Sequence, residues 1–346
     1  MNNIIRPLRP QSPAQVKQIE VDEESTGQRL DNFLMRHLKG VPKTHIYRII
    51  RSGEVRVNKA RASPESRIQG GDVVRIPPLR TSEHAQLKEE FANSGGIPAR
   101  EFPVLMEDEH LMAIDKPAGV AVHGGSGVSF GVIEQLRQAR PMLKSLELVH
   151  RIDRETSGIL LVAKKRSALK HLQDQFRERE TGKTYLTMVH GQWPSNRKVI
   201  DLPLKRFLLS NGTQEGERRV RVAQKDDPSG LRAITLVKVA RLVGAYSLLE
   251  VTIKTGRTHQ IRVHLASLGY PILGDEKYGD YDQNKALQRS GLKRMFLHAW
   301  QLKFFHPNIA KPVTLECALP PELQDFIDRQ LDLGDPLVSP MNGKDS

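Results

Sequence analysis

The sequence predicts an α/β (α+β) chain with a small N-terminal domain and a larger domain after it. Two observations predict this. Near the N-terminus, apolar residues recur first at helical and then at strand spacing, and strand and helix patterns alternate again further along the chain. The predicted divisions are an arm at 1–17, a small domain at 18–80, a linker at 81–100, a large domain at 101–330 and a loose tail at 331–346.

The small domain is predicted to contain two helices and then strands. Its first helix follows from apolar residues at helical spacing that stop near Gly40, namely Leu30, Phe33, Leu34 and Leu38. A second helix is expected to begin at Pro42 and to bury Ile46, Ile49 and Ile50. Strand segments follow, and their apolar positions are Val55, Val57, Val73, Val74 and Ile76.

The charge balance favours a polyanionic partner. Lys and Arg number 53 against 40 Asp and Glu, a net charge of +13, and the first 80 residues hold 15 basic and 8 acidic residues. Such a surplus favours nucleic acid, because each phosphate contact releases counterions. Charge alone does not separate RNA from DNA, and a solvated basic surface that binds nothing explains it as well.

Cysteine content and hydropathy exclude several classes of protein. Cys317 is the only cysteine of the sequence, which rules out a disulfide within the chain and a cysteine-based zinc site. No stretch approaches the apolar length that a membrane span needs. We therefore expect a cytoplasmic protein that is not in a membrane.

Six basic residues lie on the second predicted helix and the strands after it, and we expect them to follow a phosphate backbone. They are Lys43, Arg48, Arg51, Arg56, Lys59 and Arg61. The run Arg-Leu-Asp-Asn-Phe-Leu at 29–34 and the run Arg-Ser-Gly-Glu-Val-Arg-Val-Asn at 51–58 resemble the S4 RNA-binding domain. The resemblance covers residues 20–78 and implies RNA as the partner.

Asp153 stands out in the large domain because a predicted buried strand follows it. Its segment at 148–158, Leu-Val-His-Arg-Ile-Asp-Arg-Glu-Thr-Ser-Gly, leads into the apolar run 159–163, which is typical of a central strand. Arginines on both sides of Asp153 favour its charged form. A salt-bridged loop explains a lone Asp beside Arg, but the length of the polar run before a buried strand favours a functional loop.

Two further segments carry turn or packing residues. The Lys-Pro-Ala-Gly run at 116–119 ends an apolar strand, and its residue types favour a structural turn. Tyr185 lies in a predicted strand at 183–191, and taken alone it is more typical of packing than of catalysis. The helix predicted before this strand buries Ala168, Leu169, Leu172 and Phe176.

Arg262 lies on a helix that is predicted after a strand and the glycine turn at 255–256. Its neighbour Ile261 faces inward, so the stem of Arg262 can pack while its guanidinium reaches a site. Taken alone, the segment favours a solvated surface arginine. His259 and His264 are five residues apart, which misses the spacing of two metal ligands on one helix face.

The loop at 150–158, the Lys-Thr-Tyr run at 183–185 and the Gly-Arg-Thr-His-Gln-Ile-Arg-Val-His run at 256–264 together resemble the RluA-type family of pseudouridine synthases. The likeness spans residues 101–320, and three motifs in order are far more specific than any one of them. Ile152 replaces the leucine that is usual in this family, which is a conservative change. The segment 121–131 resembles a subgroup that acts on several uridines of large-subunit (23S) ribosomal RNA.

The resemblance implies a large domain built on a mixed, mostly antiparallel sheet and an activity that isomerises uridine to pseudouridine. Asp153 is then the essential residue, either as a nucleophile at C1′ or as a base that removes the 2′ proton. Arg262 is its ion-pair partner and Tyr185 stacks on the flipped base. The partner is large-subunit rRNA or an assembly intermediate. The basic residues expected to contact RNA in this domain are His150, Arg151, Arg154 and Arg257.

No cofactor and no metal are expected, because the reaction neither gains nor loses atoms, and nothing in the sequence demands an obligate protein partner. The main alternative is a non-catalytic RNA-binding or ribosome-assembly protein, for which Asp153, Tyr185 and Arg262 together have no evident use. Gly-Val-Ser-Phe-Gly at 127–131 matches a hydrolase nucleophile elbow, but glycines rather than a strand precede it. The kinase-like run at 150–153 places its aspartate one residue late.

Overall fold

The computed structural model describes residues 16–38, 41–79, 96–124, 130–143, 145–209, 217–224 and 226–334. The chain divides into two compact units, Met1–Pro98 and Ala99–Ser346, here called the N-terminal and C-terminal units. The expected nucleophile-elbow turn at 127–131 and the expected linker at 81–100 lie largely outside the described residues. Among the helices of the described part of the chain, none is long and apolar enough to cross a membrane.

The N-terminal unit packs two helices on an antiparallel sheet with strand order β1-β4-β2-β3. Its strands are β1 (Lys17–Glu20), β2 (Arg56–Val57), β3 (Ala60–Arg61) and β4 (Val73–Ile76). A 3-10 turn at Glu23–Ser25 precedes its helices, α1 (Leu30–His37) and α2 (Lys43–Arg51). The order helix, helix, strands is confirmed, but β1 was missed, and the expected arm at 1–17 extends one residue too far because Lys17 pairs with Ile76.

One apolar cluster explains why the N-terminal unit folds this way. Six of the seven apolar residues that predicted the two helices are buried in it, and Leu38 is partly buried against it; the six are Leu30, Phe33, Leu34, Ile46, Ile49 and Ile50. Strand residues Val74 and Ile76 complete the cluster from the sheet. The hairpin between β2 and β3 turns at Asn58 and Lys59, both with positive φ, a conformation in which two-residue hairpins favour Asn.

The C-terminal unit is built on a ten-stranded sheet whose main path runs β10-β13-β14-β9-β15-β8-β6-β5, with β16 beside β15 and β7 beside β8. Neighbouring strands are antiparallel except for β8 and β15, which are parallel. The predicted mixed, mostly antiparallel sheet is therefore confirmed. The first five strands are β5 (Val104–Glu107), β6 (Leu111–Lys116), β7 (Glu147–Leu148), β8 (Ser157–Ala163) and β9 (Gly182–His190). The others are β10 (Val199–Asp201), β13 (Ile234–Val243), β14 (Tyr246–Ile253), β15 (Leu297–Phe305) and β16 (Pro312–Glu316).

Helices and one separate hairpin complete this unit. The hairpin pairs β11 (Leu204–Leu209) with β12 (Glu217–Val222). The helices are α3 (Val132–Ala139), α4 (Arg166–Glu178), α5 (Gln260–Ser267), α6 (Tyr281–Arg289) and α7 (Pro321–Gly334). Because α7 continues to Gly334, the expected boundary of the tail at 331 is too early.

Strand β8 is buried along its whole length, as the apolar run after Asp153 predicted. Leu160 and Val162 join the apolar cluster on one face of the sheet, which α3 covers. Ile159 and Leu161 join the cluster on the other face, which α4 covers. A strand covered on both faces has to be apolar at every position, so its periodicity is lost. This burial fixes the strand onto which the Asp153 loop leads.

Gly158 is a position of β8 where a side chain does not fit. Its φ is +105°, and a Cβ there would lie 2.4 Å from the carbonyl oxygen of Ala299 on the parallel strand β15. We expect Gly158→Ala to lower the free energy of unfolding by about 3 kcal/mol or more, since both the backbone strain and the clash oppose the native pairing. Chemical denaturation measures this change.

Gly256→Ala is the matched control, because a Cβ at Gly256 meets nothing within 4 Å and its φ is not positive. We expect it to change the free energy of unfolding by less than about 0.5 kcal/mol. Equal stability of the two variants contradicts a close approach of β8 to β15.

Candidate active site

The Lys-Pro-Ala-Gly turn at 116–119 holds the loop that carries Asp153. The ammonium of Lys116 is completely buried and donates to the carbonyl oxygens of Pro117 and Val120 (2.8 Å each) and of Arg154 (3.0 Å). The backbone N–H of Gly119 donates to the same Arg154 carbonyl at 2.9 Å. Burial lowers the pKa of Lys116 to about 7. The structural role predicted for this turn is confirmed by these contacts.

Asp153 lies beside Arg262, as the sequence led us to expect. Nη1 of Arg262 is 3.3 Å from Oδ2 of Asp153. The guanidinium makes two shorter contacts with Asp275, because Nε and Nη2 each donate to one of its carboxylate oxygens at 2.8 Å. Side-chain exposure is 21% for Asp153, 7% for Arg262 and 1% for Asp275. Asp275 is therefore the closer ion-pair partner of Arg262, and the sequence analysis missed it.

The buried Arg262–Asp275 pair stays charged. Burial acts against the charge of Arg262, but the hydrogen bonds and the charge of Asp275 raise its pKa above the usual value. Burial likewise acts to raise the pKa of Asp275, yet the guanidinium and the backbone N–H groups of Lys277 and Tyr278 hold it below its usual range. A fixed positive charge consequently faces Asp153.

Asp275 carried one local signal that sequence reasoning passed over. It follows Gly274, whose φ is +75° and where a Cβ would lie 2.3 Å from the carbonyl oxygen of Arg294. A Gly-Asp pair is typical of a turn in which the Asp side chain accepts backbone N–H groups. The turn was therefore recognisable, but its pairing with Arg262 depends on the tertiary fold.

One cavity brings together the three residues that were expected to be catalytic. Asp153 reaches it from the loop before β8, Tyr185 from β9 and Arg262 from α5. Apolar side chains line the rest of the wall, and they include Ile152, Ile253, Ile261 and Leu297. Burial and the charge of Asp153 raise the pKa of Tyr185, so its hydroxyl stays protonated. A mixed polar and apolar wall of this kind suits a planar, uncharged ring with polar edges.

His259 and Tyr278 form a second layer around the charged groups. Nδ1 of His259 lies 2.8 Å from the hydroxyl of Tyr278, and its Nε2 lies 3.8 Å from Oδ2 of Asp153. Cζ of Arg262 lies 5.1 Å from the centre of the Tyr278 ring, within cation–π range. Burial lowers the pKa of His259 to about 4, so its imidazole is neutral at physiological pH.

The two histidines of this segment turn to different partners. His264 is fully buried, with Nδ1 2.8 Å from the Thr235 hydroxyl and Nε2 2.9 Å from the Leu202 carbonyl oxygen. His259 faces Tyr278 and Asp153 instead. Within the described part of the chain, no group of three or more His, Cys, Asp or Glu is arranged to hold a metal ion.

The basic residues expected to contact RNA in the C-terminal unit are placed unequally. Arg151 and Arg257 line the cavity, and Arg154 borders the wider cleft beside it, with its Nε 2.6 Å from Glu155. His150 does not line either space. Its Nε2 accepts the backbone N–H of Leu161 at 3.1 Å, and its ring stacks on Phe176. Its acceptor nitrogen anchors the loop to β8, and an RNA contact by His150 stays a prediction.

The six basic residues of the N-terminal unit that were expected to contact RNA are accessible. Five are exposed, namely Lys43, Arg48, Arg51, Lys59 and Arg61, and Arg56 is half-buried. Arg56 and Arg61 lie opposite each other across β2 and β3, and the Arg61 guanidinium is 3.5 Å from the carbonyl oxygen of Ser52 at the end of α2. The hairpin and the end of the helix therefore present positive charge close together.

Comparison with known proteins assigns the family. Residues 110–267 match the RNA pseudouridylate synthase family, and residues 28–74 match the S4 domain. The chain is 47% identical to ribosomal large subunit pseudouridine synthase C of Pasteurella multocida, over 90% of this chain and 93% of that one. It is 49% identical to the protein of the same name from Escherichia coli K12, over 88% and 93%. This chain belongs to the RNA pseudouridylate synthase family.

Solved structures agree with this assignment. Human RNA pseudouridylate synthase domain containing 4 is 26% identical to this synthase, with a TM-score of 0.54 over 71% of this chain and 97% of the human one. Human RNA pseudouridylate synthase domain containing 1 is 24% identical, with a TM-score of 0.53 over 66% and 88%, and it shows the fold. The predicted family, enzyme class and fold class are confirmed.

Because His150 is neutral in the folded synthase, the free energy of unfolding is expected to depend on pH. Burial lowers the pKa of His150 from 6.5 to about 3. Between these pH values the unfolded chain binds a proton that the folded chain does not, so stability falls as the pH falls. We expect His150→Gln to flatten the fall of unfolding free energy between pH 6.5 and about 4, measured by urea denaturation. An unchanged slope contradicts a neutral His150 in the folded synthase.

The two carboxylates beside Arg262 are expected to differ in their contribution to stability. Asp275→Asn leaves a buried guanidinium without its main counter-charge, and we expect a loss of about 3 kcal/mol or more in the free energy of unfolding. Asp153→Asn is the matched control, because this partly exposed carboxylate makes only the longer contact, and a loss below about 1 kcal/mol is expected. Equal losses on chemical denaturation contradict the assignment of Asp275 as the principal partner.

Proposed function

We propose that this synthase isomerises specific uridines to pseudouridine in large-subunit (23S) ribosomal RNA. The relatives from Pasteurella multocida and Escherichia coli, named ribosomal large subunit pseudouridine synthase C, cover nearly the whole of both chains and so support this substrate. Several target sites are expected from the subgroup that segment 121–131 resembles. We propose that it acts in the cytoplasm, on RNA that is either free or part of a large-subunit assembly intermediate.

Asp153 is proposed as the essential catalytic residue. In the reaction the N1–C1′ bond breaks, the uracil turns, and a C5–C1′ bond forms, while the proton on C5 is lost and N1 gains one. Atoms and electrons balance within the nucleotide, so no co-reactant enters. Asp153 acts either by attacking C1′ or by removing the 2′ proton, and both steps need an ionised carboxylate oxygen directed at the sugar.

The catalytic role of Asp153 is supported by its position in the cavity, where its carboxylate faces the buried positive charge of Arg262. Arg262 touches Asp153 through Oδ2 at 3.3 Å, and no hydrogen bond of the described residues involves Oδ1. Oδ1 is the oxygen that is left for the substrate. Asp275 holds the guanidinium rigidly through two hydrogen bonds, so the position of the charge costs no reorganisation when the substrate arrives.

Tyr185 is proposed to stack on the uracil once it leaves the RNA helix. A protonated phenol in a half-buried wall offers a flat surface of the right kind, and base–aromatic stacking contributes about 1–3 kcal/mol per base. This offsets part of the cost of extruding the nucleotide. The apolar side chains of Ile152 and Leu297 line the same cavity.

Arg151, Arg154 and Arg257 are proposed to bind phosphates on either side of the extruded uridine. The N-terminal unit is proposed to bind the surrounding RNA as a separate module, through the exposed and half-buried basic residues of α2 and the hairpin after it. Its match to the S4 domain supports this role. Sequence-independent phosphate contacts of this kind add affinity without choosing the uridine.

The central test measures pseudouridine in large-subunit rRNA transcript after incubation with the wild type and with Asp153→Asn. We expect conversion by the wild type and a loss of turnover of at least about a thousandfold in the variant, with RNA binding retained, because the carboxylate does the chemistry. An assembly intermediate serves as substrate if free transcript is not converted. Conversion by Asp153→Asn at the wild-type rate overturns its role, and failure of the wild type on both substrates overturns the proposed substrate.

Salt dependence tests the module at the N-terminus. Deleting residues 1–80 should weaken RNA binding and reduce the slope of log affinity against log salt, because each lost phosphate contact lowers that slope by about one unit. Filter binding at several salt concentrations measures both quantities. An unchanged slope in the truncated protein contradicts RNA binding by this unit.

A further inference from the structure

A chain of hydrogen bonds connects the backbone of β12 to the imidazole next to Asp153. The backbone N–H of Val220 on β12 lies 3.1 Å from the hydroxyl oxygen of Tyr278, and that oxygen lies 2.8 Å from Nδ1 of His259. A backbone N–H can only donate, so the hydroxyl accepts from Val220. Among the hydrogen bonds of the described residues, the only acceptor for the hydroxyl proton is Nδ1 of His259.

The tautomer of His259 follows from this chain. A neutral imidazole carries one proton, and if Nδ1 accepts, that proton is on Nε2. Nε2 faces Asp153, at 3.8 Å from Oδ2. This distance is longer than a hydrogen bond, but it is short enough for an N–H dipole to act on a carboxylate. With the Tyr278 hydroxyl as the donor to Nδ1, the proton of the neutral imidazole lies on Nε2, the nitrogen that faces Asp153.

The backbone holds His259 in an unusual conformation for this purpose. It has a φ of 52° and a ψ of 23°, in the left-handed region, at the residue that precedes α5. Its carbonyl oxygen accepts the N–H of Val263 at 2.9 Å, so it is tied to the first turn of the helix that carries Arg262. A residue other than glycine adopts this region at a cost, and such strain is concentrated at functional positions.

Two donors converge on the same oxygen of Asp153. Nη1 of Arg262 and Nε2 of His259 both face Oδ2. We propose that His259 is a positioning residue of the synthase, whose Nε2–H, set by Tyr278, holds Oδ2 of Asp153 together with Arg262 and directs Oδ1 to the substrate. This inference rests on the proposed catalytic role of Asp153.

A neutral donor suits this place better than a second cation. The groups that face His259 are Asp153, Asp275, Arg262 and Lys277, whose charges sum to zero. Arg262 already supplies a positive charge to the Asp153 carboxylate. A second positive charge on His259 would stabilise that carboxylate further and make it less reactive toward the sugar. A neutral N–H orients the carboxylate and leaves its charge available.

The test uses the full-length synthase and large-subunit rRNA, with kcat and KM measured separately. His259→Asn tolerates the left-handed backbone and its amide reaches the Nδ1 position, but it has no donor at the Nε2 position. We expect a loss in kcat on the order of tenfold with KM changed less than about threefold. His259→Gln places an amide donor near the Nε2 position and should recover at least about a third of the wild-type kcat.

Tyr278→Phe tests the origin of the tautomer. It should lower kcat by about threefold or more in the wild-type background and have no further effect on kcat in the His259→Asn background, because both changes remove the same directed proton. Tyr246→Phe is the matched control, since this half-buried tyrosine packs against His190 and Phe326, and its activity should equal that of the wild type.

Each outcome supports or overturns the positioning role of His259. Wild-type kcat in His259→Asn, or additive losses in the double variant, overturns it. Losses confined to KM also overturn it, because they indicate RNA binding instead of positioning. If His259→Asn melts below the assay temperature, the comparison of His259→Gln with His259→Leu replaces it, and equal kcat values for those two overturn the inference. Wild-type turnover is measured first, so a failure of the proposed function is recognised before any variant is compared.

Discussion

The buried ion pair between Arg262 and Asp275 is the interaction on which the site depends. Removing both charges from water carries a cost of several kcal/mol for each ion, which two parallel hydrogen bonds of 2.8 Å and two backbone N–H groups offset. The result is a guanidinium held in place whose Nη1 faces Asp153 in the cavity. Asp153 is partly exposed and meets this charge at 3.3 Å, so it is oriented without being neutralised by a close partner.

The scaffold brings these groups together from distant parts of the chain. Strand β8 is covered on both faces and pairs with β6 and β15, which gives the Asp153 loop an immobile base. The buried ammonium of Lys116 binds the other side of that loop through the Arg154 carbonyl. Arg262 reaches the cavity from α5, which begins directly after the Asp153-facing His259. Rigid elements on three sides thus define the position of one carboxylate.

Local patterns predicted the elements well wherever one face is buried. The apolar side chains of α1, α2 and α4 lie in or against the core, because apolar residues at helical spacing share one face of a helix and that face is the buried one. Strand β1 was missed because its four residues, Lys-Gln-Ile-Glu, are mostly polar, and their pairing with β4 supplies the order that their sequence lacks. The tail boundary was placed too early because the Asp- and Gly-containing end of α7 has weak helical preference and is helical nevertheless.

The sequence by itself determined the family and the order of the two domains. It also singled out Asp153, Tyr185 and Arg262 together, because three motifs in order are recognisable without the fold. Only the tertiary structure decided how they are held. Asp275, His259 and Tyr278 join the site because a turn and a helix start meet across space. His150 does not line the cavity or the cleft beside it, and its imidazole instead bonds to β8. Residue types record what a side chain can do, but its partner is fixed by burial and distance, which exist only in the folded chain.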